Sequence, residues 1–161
     1  MPASYENPWT FNEKPFESED IDKYVGFCYL ITKKSTDEKY IGRKYFYTSR
    51  KKPLTKRQKT AGRVRSTRIN KESDWREYCG SSEVLLQDID KLGKDKFTFE
   101  ILAYGYTKGQ VNYLEENLQH KYDVLTDDKF YNNSIGSRKF VSMSVTPELI
   151  NELKKVDKKL G

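Results

Sequence analysis

The chain has 161 residues, 35% hydrophobic and 34% charged, which fits one compact domain with a short appendage. Its longest apolar run, residues 25–31, is far shorter than the roughly 20 residues that cross a bilayer, and its first residues lack the features of a secretory signal. One histidine and two distant cysteines argue against Cys/His zinc sites. We therefore expect a cytoplasmic protein with reduced thiols and no membrane partner.

The positive charge is concentrated in one segment. The formal net charge is +6, but residues 43–71 hold 12 Lys or Arg and no acidic residue, so the rest of the chain is net negative. A mildly acidic body with one basic segment indicates a polyanionic partner. Aromatic residues at 45–47 favour a nucleic acid, because rings beside cations can stack on bases. A solvated basic loop is the alternative interpretation.

The first half of the chain predicts a hairpin between two irregular segments. Residues 1–22 carry irregularly spaced aromatic residues and prolines, and we expect them to lie across the domain or to be partly disordered. The apolar run 26–32 and the extended residues 39–42 predict the two strands of a β-hairpin. Residues 48–71 lack apolar periodicity and predict a mobile loop that a ligand orders.

The next segment predicts two helices and a third strand. Ser81 or Ser82 can cap a helix that ends at Gly93, and residues 97–101 alternate as a strand does. A capping box at Thr107 begins a second helix. The apolar faces of the two helices are predicted to hold Leu85, Leu86, Ile89 and Leu92, and Val111, Leu114, Leu118, Tyr122 and Leu125 respectively.

These elements predict an α/β fold in which a three-stranded, mainly antiparallel sheet is flanked by helices. We assign residues 1–22 to an N-terminal extension and residues 23–136 to the domain, which includes the basic loop 43–71. Residues 137–161 form a C-terminal extension, with a short strand near 140–145 and a last helix that starts at Pro147. The last helix can touch DNA or pack on the domain, and we expect packing.

Three side chains are candidates for chemistry on a polyanion. Tyr29 and Tyr40 lie on the hairpin strands, and one register brings both phenols to the same face, although two ordinary packing tyrosines are the alternative. On a helical wheel at about 100° per residue, Glu115 falls at the edge of the apolar face, whereas Glu116 and His120 point away. A carboxylate there suits a hard divalent cation, and a solvated surface acid is the alternative.

The residues of this hairpin resemble the two signature triplets of the GIY-YIG nucleases. Tyr40-Ile41-Gly42 matches the second triplet fully, whereas Phe27-Cys28-Tyr29 retains only the tyrosine of the first. Arg50 lies eight residues after Gly42, as the family's arginine does. Leu114-Glu115 and Tyr131-Asn132 match the glutamate and asparagine motifs. The stretch 74–102 resembles the phage subgroup that includes the Seg-type homing endonucleases.

The resemblance implies a metal-dependent DNA endonuclease of the homing type. Glu115 would bind one Mg²⁺ or Mn²⁺ per active site, and Tyr29 would act as the general base or help to position it. Tyr40 would orient water or phosphate, Arg50 or Lys44 would stabilise charge, and Asn132 would support the site by hydrogen bonds. A nucleic-acid-binding protein on the same fold, with reduced or lost cleavage, is the alternative because of the altered first triplet. An unrelated basic interaction protein is a third reading.

The implied partner is double-stranded DNA, in the cytoplasm of a phage-infected bacterial host. Cutting both strands would depend on a homodimer on DNA, which the sequence leaves open. Counterion release from the phosphates would make binding fall with salt. The residues expected to contact nucleic acid are Arg43, Lys44, Lys51, Lys52, Lys56, Arg57, Arg63 and Arg65.

Overall fold

A five-stranded sheet organises the molecule, and a two-stranded ribbon extends from it. The computed structural model describes residues 7–63, 67–135, 138–139 and 147–160. The strands are β1 (Trp9–Phe11), β2 (Lys14–Pro15), β3 (Gly26–Lys33), β4 (Lys39–Tyr45), β5 (Tyr47–Lys52), β6 (Thr67–Glu72), β7 (Phe97–Gly105), β8 (Ser134–Ile135) and β9 (Arg138–Lys139). The α-helices are α1 (Lys56–Thr60), α2 (Glu83–Leu92), α3 (Lys108–Lys121) and α4 (Pro147–Leu160), and 3₁₀ turns lie at Ser18–Asp20 and Lys94–Lys96.

The central strands confirm the predicted mainly antiparallel sheet. Its strand order is β2-β1-β7-β3-β4, and β3 pairs antiparallel with both β4 and β7. The β3–β4 register sets Tyr29 opposite Gly42 and Ile31 opposite Tyr40. Side chains alternate along a strand, so this register brings Tyr29 and Tyr40 to the same face. β4 is the edge strand on this side of the sheet.

The N-terminal segment adds two strands that the sequence did not predict. β1 pairs parallel with β7, with Trp9 opposite Phe99, and β2 folds back antiparallel onto β1. The Trp9 indole is fully buried, and its Nε1 donates to the Trp75 carbonyl at 2.8 Å. Residues 9–15 are therefore part of the sheet rather than an extension that lies across it.

Aromatic side chains fill the core on the Tyr29 face of the sheet. The Trp9 ring lies 5.2 Å from Phe27 and 5.0 Å from Tyr29, and Phe27 lies 5.0 Å from Phe46. The Trp75 ring meets Phe46 edge-on at 5.3 Å. Such aromatic contacts bury large areas per residue, which compensates for the small number of aliphatic side chains.

The basic segment is a β-ribbon with a helix, not the mobile loop that its composition predicted. β5 and β6 pair antiparallel with each other and form a sheet separate from the main one. Beyond β5, Thr55 caps α1: its Oγ1 accepts from Gln58 N, and Gln58 Oε1 accepts from Thr55 N. Main-chain pairing needs no apolar periodicity, which is why the pattern missed it.

The predicted helices are present, with changes at their ends. Ser82 caps α2 and Gly93 ends it with φ 96°, as predicted. Thr107 caps α3, but Gln110 Oε1 accepts from Tyr106 N rather than from Thr107 N, so the predicted box is incomplete. Residues 74–78, before α2, form a hydrogen-bonded turn.

The C-terminal helix exposes apolar side chains. Val156 is 47% exposed and Leu160 is 83% exposed, so neither is buried against the domain, whereas the side chains of Leu149 and Leu153, through which packing was also expected, lie outside the described part of the chain. The predicted strand at 140–145 lies outside the described residues. Within the described part of the chain, no helix is long and apolar enough to cross a membrane.

The burial of Trp9 predicts that β1 is required for stability. We expect Trp9→Ala to lower the free energy of unfolding by about 3 to 5 kcal/mol, because the substitution leaves a cavity beside three aromatic rings and an unpaired Trp75 carbonyl. Urea unfolding measures the change. Tyr113→Ala is the control, since Tyr113 is 68% exposed on α3, and should change stability by less than about 0.5 kcal/mol. Equal effects of the two substitutions would contradict the role of β1.

Candidate active site

A cavity of about 340 Å³ opens around edge strand β4 and collects polar side chains from several elements. Tyr40 and Arg43 point to opposite faces of β4 because side chains alternate along a strand. Both line the cavity, so the cavity reaches both faces of the sheet at its edge. The described residues that line it are Tyr29, Tyr40, Arg43, Tyr45, Tyr78, Ser81, Glu115, Gln119 and Ser134.

The two predicted tyrosines meet in this cavity. Their ring centroids are 6.1 Å apart, and Tyr40 Oη lies 2.8 Å from Ser81 Oγ. Tyr29 Oη is buried and has no hydrogen-bond partner within the described part of the chain. Burial, reinforced by Tyr40 and Tyr78, raises the pKa of the Tyr29 phenol well above its ordinary value. A buried hydroxyl without a partner is costly, so this group is available to a ligand.

Gly42 is required by the close approach of the two phenol rings. A Cβ at position 42 would lie 2.5 Å from Tyr29 Oη and 2.9 Å from a ring carbon of Tyr40. Both distances are shorter than any ordinary carbon contact. The glycine of the Tyr40-Ile41-Gly42 triplet therefore makes room for both phenols.

Glu115 faces inward from the middle of α3. The buried residues of this helix are Val111, Glu115 and Gln119, one turn apart, whereas Tyr122 is exposed. The predicted apolar face was wrong in phase, since Glu115 lies at the centre of the buried face and not at its edge. Its side chain accepts from Arg43 Nη1 at 2.6 Å. Burial raises the pKa of Glu115, and the neighbouring Arg43 opposes that shift.

The guanidinium in the cavity belongs to Arg43 and not to Arg50. Arg50 lies on exposed β5, where its backbone partner is Ile69, and it does not line the cavity. Burial alone would lower the pKa of Arg43, but the Glu115 charge raises it. The residue eight positions after Gly42 therefore lies in the ribbon, because β5 begins only two residues after the end of β4.

Asn132 and Gln119 satisfy the free edge of β4. Asn132 Oδ1 accepts from Ile41 N at 3.0 Å, and its Nδ2 donates to Ile41 O at 2.7 Å. Gln119 Nε2 donates to the same carbonyl at 2.9 Å. An unpaired strand edge exposes such groups, and here two side chains replace a neighbouring strand. Asn132 thus holds the backbone at Ile41, between Tyr40 and Gly42, by two hydrogen bonds.

The comparison with family models identifies this arrangement. Residues 9–135 match the model described as "Putative endonuclease segE, GIY-YIG domain". The chain belongs to this GIY-YIG family. Comparison with curated proteins and with solved structures found no match. The match includes β1, which supports counting the N-terminal strands as part of the GIY-YIG domain.

The altered first triplet contributes one residue, Tyr29, to the described lining of the GIY-YIG cavity. Phe27 and Cys28, which replace glycine and isoleucine, are fully buried and do not line it. Phe27 packs into the aromatic core, and Cys28 Sγ donates to the Val111 carbonyl at 3.4 Å. Tyr29 alone reaches the cavity. The departure from the family pattern therefore changes packing behind the site.

Sequence reasoning missed several residues of the cavity. Tyr78 and Ser81 come from the turn before α2, where only a helix cap was expected, and Gln119 was hidden by the wrong helix phase. The other missed lining residues are Tyr45 and Ser134.

Lys44, one of the predicted cations, contacts residues of the same turn. Its Nζ lies 2.6 Å from Asp74 Oδ1 and 4.1 Å from the centre of the Tyr78 ring.

The remaining predicted cations lie on the ribbon and its helix. Each of those that the structure describes is exposed, as phosphate contact requires. These residues are Lys51, Lys52, Lys56, Arg57 and Arg63, whereas Arg65 lies outside the described residues.

The close contact between Gly42 and the two phenols predicts that a methyl group at position 42 destabilises the protein. We expect Gly42→Ala to lower the free energy of unfolding by about 1 to 3 kcal/mol, because Tyr29 and Tyr40 must move. Gly109→Ala on α3 is the matched control, since its nearest neighbour would be Thr107 Oγ1 at 3.8 Å, and should be neutral or stabilising. Urea unfolding of both variants tests this; equal midpoints would contradict the close packing.

Proposed function

We propose that this GIY-YIG protein is a metal-dependent DNA endonuclease that hydrolyses phosphodiester bonds at the cavity around β4. The observation that carries the proposal is the meeting, in one cavity, of two phenols, a guanidinium and a carboxylate from distant parts of the chain. The family is one of endonucleases, which supports nuclease chemistry and DNA as its substrate. Membership of the Seg-type group also supports a homing role in a phage-infected cell.

The donor set of the cavity fits Mg²⁺ or Mn²⁺. Glu115 is the one carboxylate among the described lining residues, and the hydroxyls of Tyr29, Tyr40 and Ser81 lie in the same cavity. Mg²⁺ is often held by one or two carboxylates, several waters and a substrate phosphate, so one acid is sufficient. Described residues hold no cluster of three or more His, Cys, Asp or Glu, so an all-protein cage is not indicated. When bound, the cation would polarise the phosphate and stabilise the leaving oxygen.

Arg43 would stabilise the charge that develops on the phosphate. Its guanidinium is part-buried and already oriented by Glu115, so little rotamer entropy is lost when an anion binds. Tyr40, held by Ser81, would orient the phosphate or the attacking water. Asn132 would keep the strand between these groups in place through Ile41. Arg43 thus takes the part that the resemblance implied for Arg50 or Lys44.

Tyr29 would position the attacking water as a neutral phenol. Its hydroxyl is buried without a partner, and burial raises its pKa, so the phenolate is strongly disfavoured near neutral pH. A neutral O–H can both donate to a phosphate oxygen and accept from water. Of the two roles implied by the resemblance, this geometry favours positioning over proton removal.

Glu115 provides the decisive test of metal-dependent cleavage. We expect Glu115→Gln to lower the Mg²⁺-dependent nicking of supercoiled plasmid by about 100-fold or more, because the amide is a poor ligand for a hard cation. Glu116→Gln is the matched control, since Glu116 is exposed on the same helix, and should cleave as the wild type does. EDTA should abolish all cleavage.

Two outcomes would overturn this assignment. Loss of cleavage in Glu116→Gln but not in Glu115→Gln would place the metal on the other face of α3. A wild-type protein that binds DNA but does not nick plasmid in Mg²⁺ or Mn²⁺ would support the alternative, a binding protein on the nuclease fold. Circular dichroism of Glu115→Gln guards against a folding defect, since the substitution removes the partner of Arg43.

The raised pKa of Tyr29 predicts a flat pH response. We expect Tyr29→Phe to lower the single-turnover rate by about 10- to 100-fold, the value of a hydrogen bond to a charged group, and by the same factor from pH 6 to 9. A phenol with a raised pKa stays neutral through that range, so no inflection should belong to it. A wild-type inflection that disappears in Tyr29→Phe would instead identify a phenolate base.

A further inference from the structure

The ribbon formed by β5 and β6 is part of the fold, although its described side chains are exposed. Every residue of β5 is exposed, and neither strand pairs with the main sheet. An isolated two-stranded ribbon is marginally stable in water. A ribbon of this kind therefore indicates a partner that covers it.

The base of the ribbon is fixed to the domain. Glu72 Oε1 accepts from Ser18 Oγ at 2.6 Å and from Trp75 Nε1 at 2.8 Å. Ser73 N donates to the Phe46 carbonyl at 2.7 Å, which joins the two ends of the ribbon. These contacts set the direction in which the ribbon leaves the domain.

The two faces of the ribbon differ in charge. The register sets Tyr47 opposite Glu72 and Ser49 opposite Asn70, and the face with Glu72 turns at its base toward Ser18 and Trp75. By register, that face also carries Lys51 and Arg68, so it holds two cations and one acidic residue. The other face, here called the Arg50 face, holds three cations and no acidic residue, and its exposed residues include Thr48, Arg50, Lys52 and Lys71.

We propose that the Arg50 face enters the major groove of duplex DNA and that Arg50 determines specificity there by reading a guanine. The inference rests on the proposed function, from which DNA is taken as the polyanion. A major groove about 12 Å wide admits a two-stranded ribbon, and six-residue strands reach about 20 Å. The planar guanidinium of arginine can donate to guanine O6 and N7 together, which lysine cannot match.

The ribbon begins close to the active-site cavity, so DNA bound by the ribbon would also lie near that cavity. Tyr45 lines both that cavity and a second one of about 300 Å³ at the base of the ribbon, where Lys44, Tyr47 and Lys108 also lie. Because the two cavities share Tyr45, a duplex held by the ribbon would lie beside the cavity that Glu115 lines. Duplex RNA fits less well, because the major groove of the A form is too narrow for side chains to read.

Selection from a random duplex DNA library, in EDTA, tests the inference without cleavage. The full chain is compared with Arg50→Ala and with Lys51→Ala, an adjacent substitution of the same charge on the opposite face. We expect the wild type to select a motif that contains guanine, Arg50→Ala to lose about 10-fold discrimination at one position, and Lys51→Ala to keep the motif. Each variant should reduce the salt slope of binding by about one phosphate contact or less.

Replacement of the selected guanine by 7-deazaguanine tests the groove directly. This base lacks the N7 acceptor of the major groove, so wild-type binding should weaken several-fold while binding by Arg50→Ala stays unchanged. A duplex RNA of the same sequence should compete poorly.

Four results would overturn the inference: no selected motif, the same motif change in both variants, no effect of 7-deazaguanine, or equal competition by RNA. The nuclease proposal can fail separately. A protein that selects a motif through Arg50 but never nicks plasmid would refute cleavage and leave the ribbon's role intact.

Discussion

The pairing of Tyr29 with Gly42 across β3 and β4 is the constraint from which the geometry of the site follows. This register puts two phenols on one face, and the missing side chain at position 42 lets both rings approach the strand. A shift of one residue would turn Tyr40 toward α3. Packing also fixes the position of Tyr29, because its ring contacts Trp9 in the aromatic core. The packing of the aromatic core and the geometry of the site therefore depend on the same residue, Tyr29.

The edge position of β4 explains how groups from opposite faces meet. An interior strand would separate the phenols from the Arg43–Glu115 pair, because the sheet would lie between them. At the edge, both sets reach one cavity, and the exposed backbone is satisfied by Asn132 and Gln119 at Ile41. The GIY-YIG cavity thus opens at a free strand edge, and under the proposed function this opening is where a substrate strand would enter.

Local signals predicted the parts of the fold that local interactions determine. The hairpin and the caps at Ser82 and Thr107 follow from turn and capping chemistry. Pairing of β1 with β7 spans about ninety residues and leaves no local pattern. The phase of α3 was misread because its buried face carries two polar residues, Glu115 and Gln119, which a search for apolar periodicity does not find. Arg50 matched a spacing, but only the fold decides which guanidinium reaches the cavity.

The part-buried pair of Arg43 and Glu115 contributes little to an argument for stability, because desolvation of the two charges offsets much of their attraction. Tyr29 Oη, which has no hydrogen-bond partner among the described residues, lines the same cavity, and this supports another interpretation, in which the cavity holds one positive and one negative charge for a substrate. Under the proposed function, a phosphodiester with one negative charge would lie beside Arg43 and a divalent cation beside Glu115. The cation alone would add two positive charges and the phosphodiester offsets one of them, which limits the electrostatic cost of closing a low-dielectric site around a charged strand.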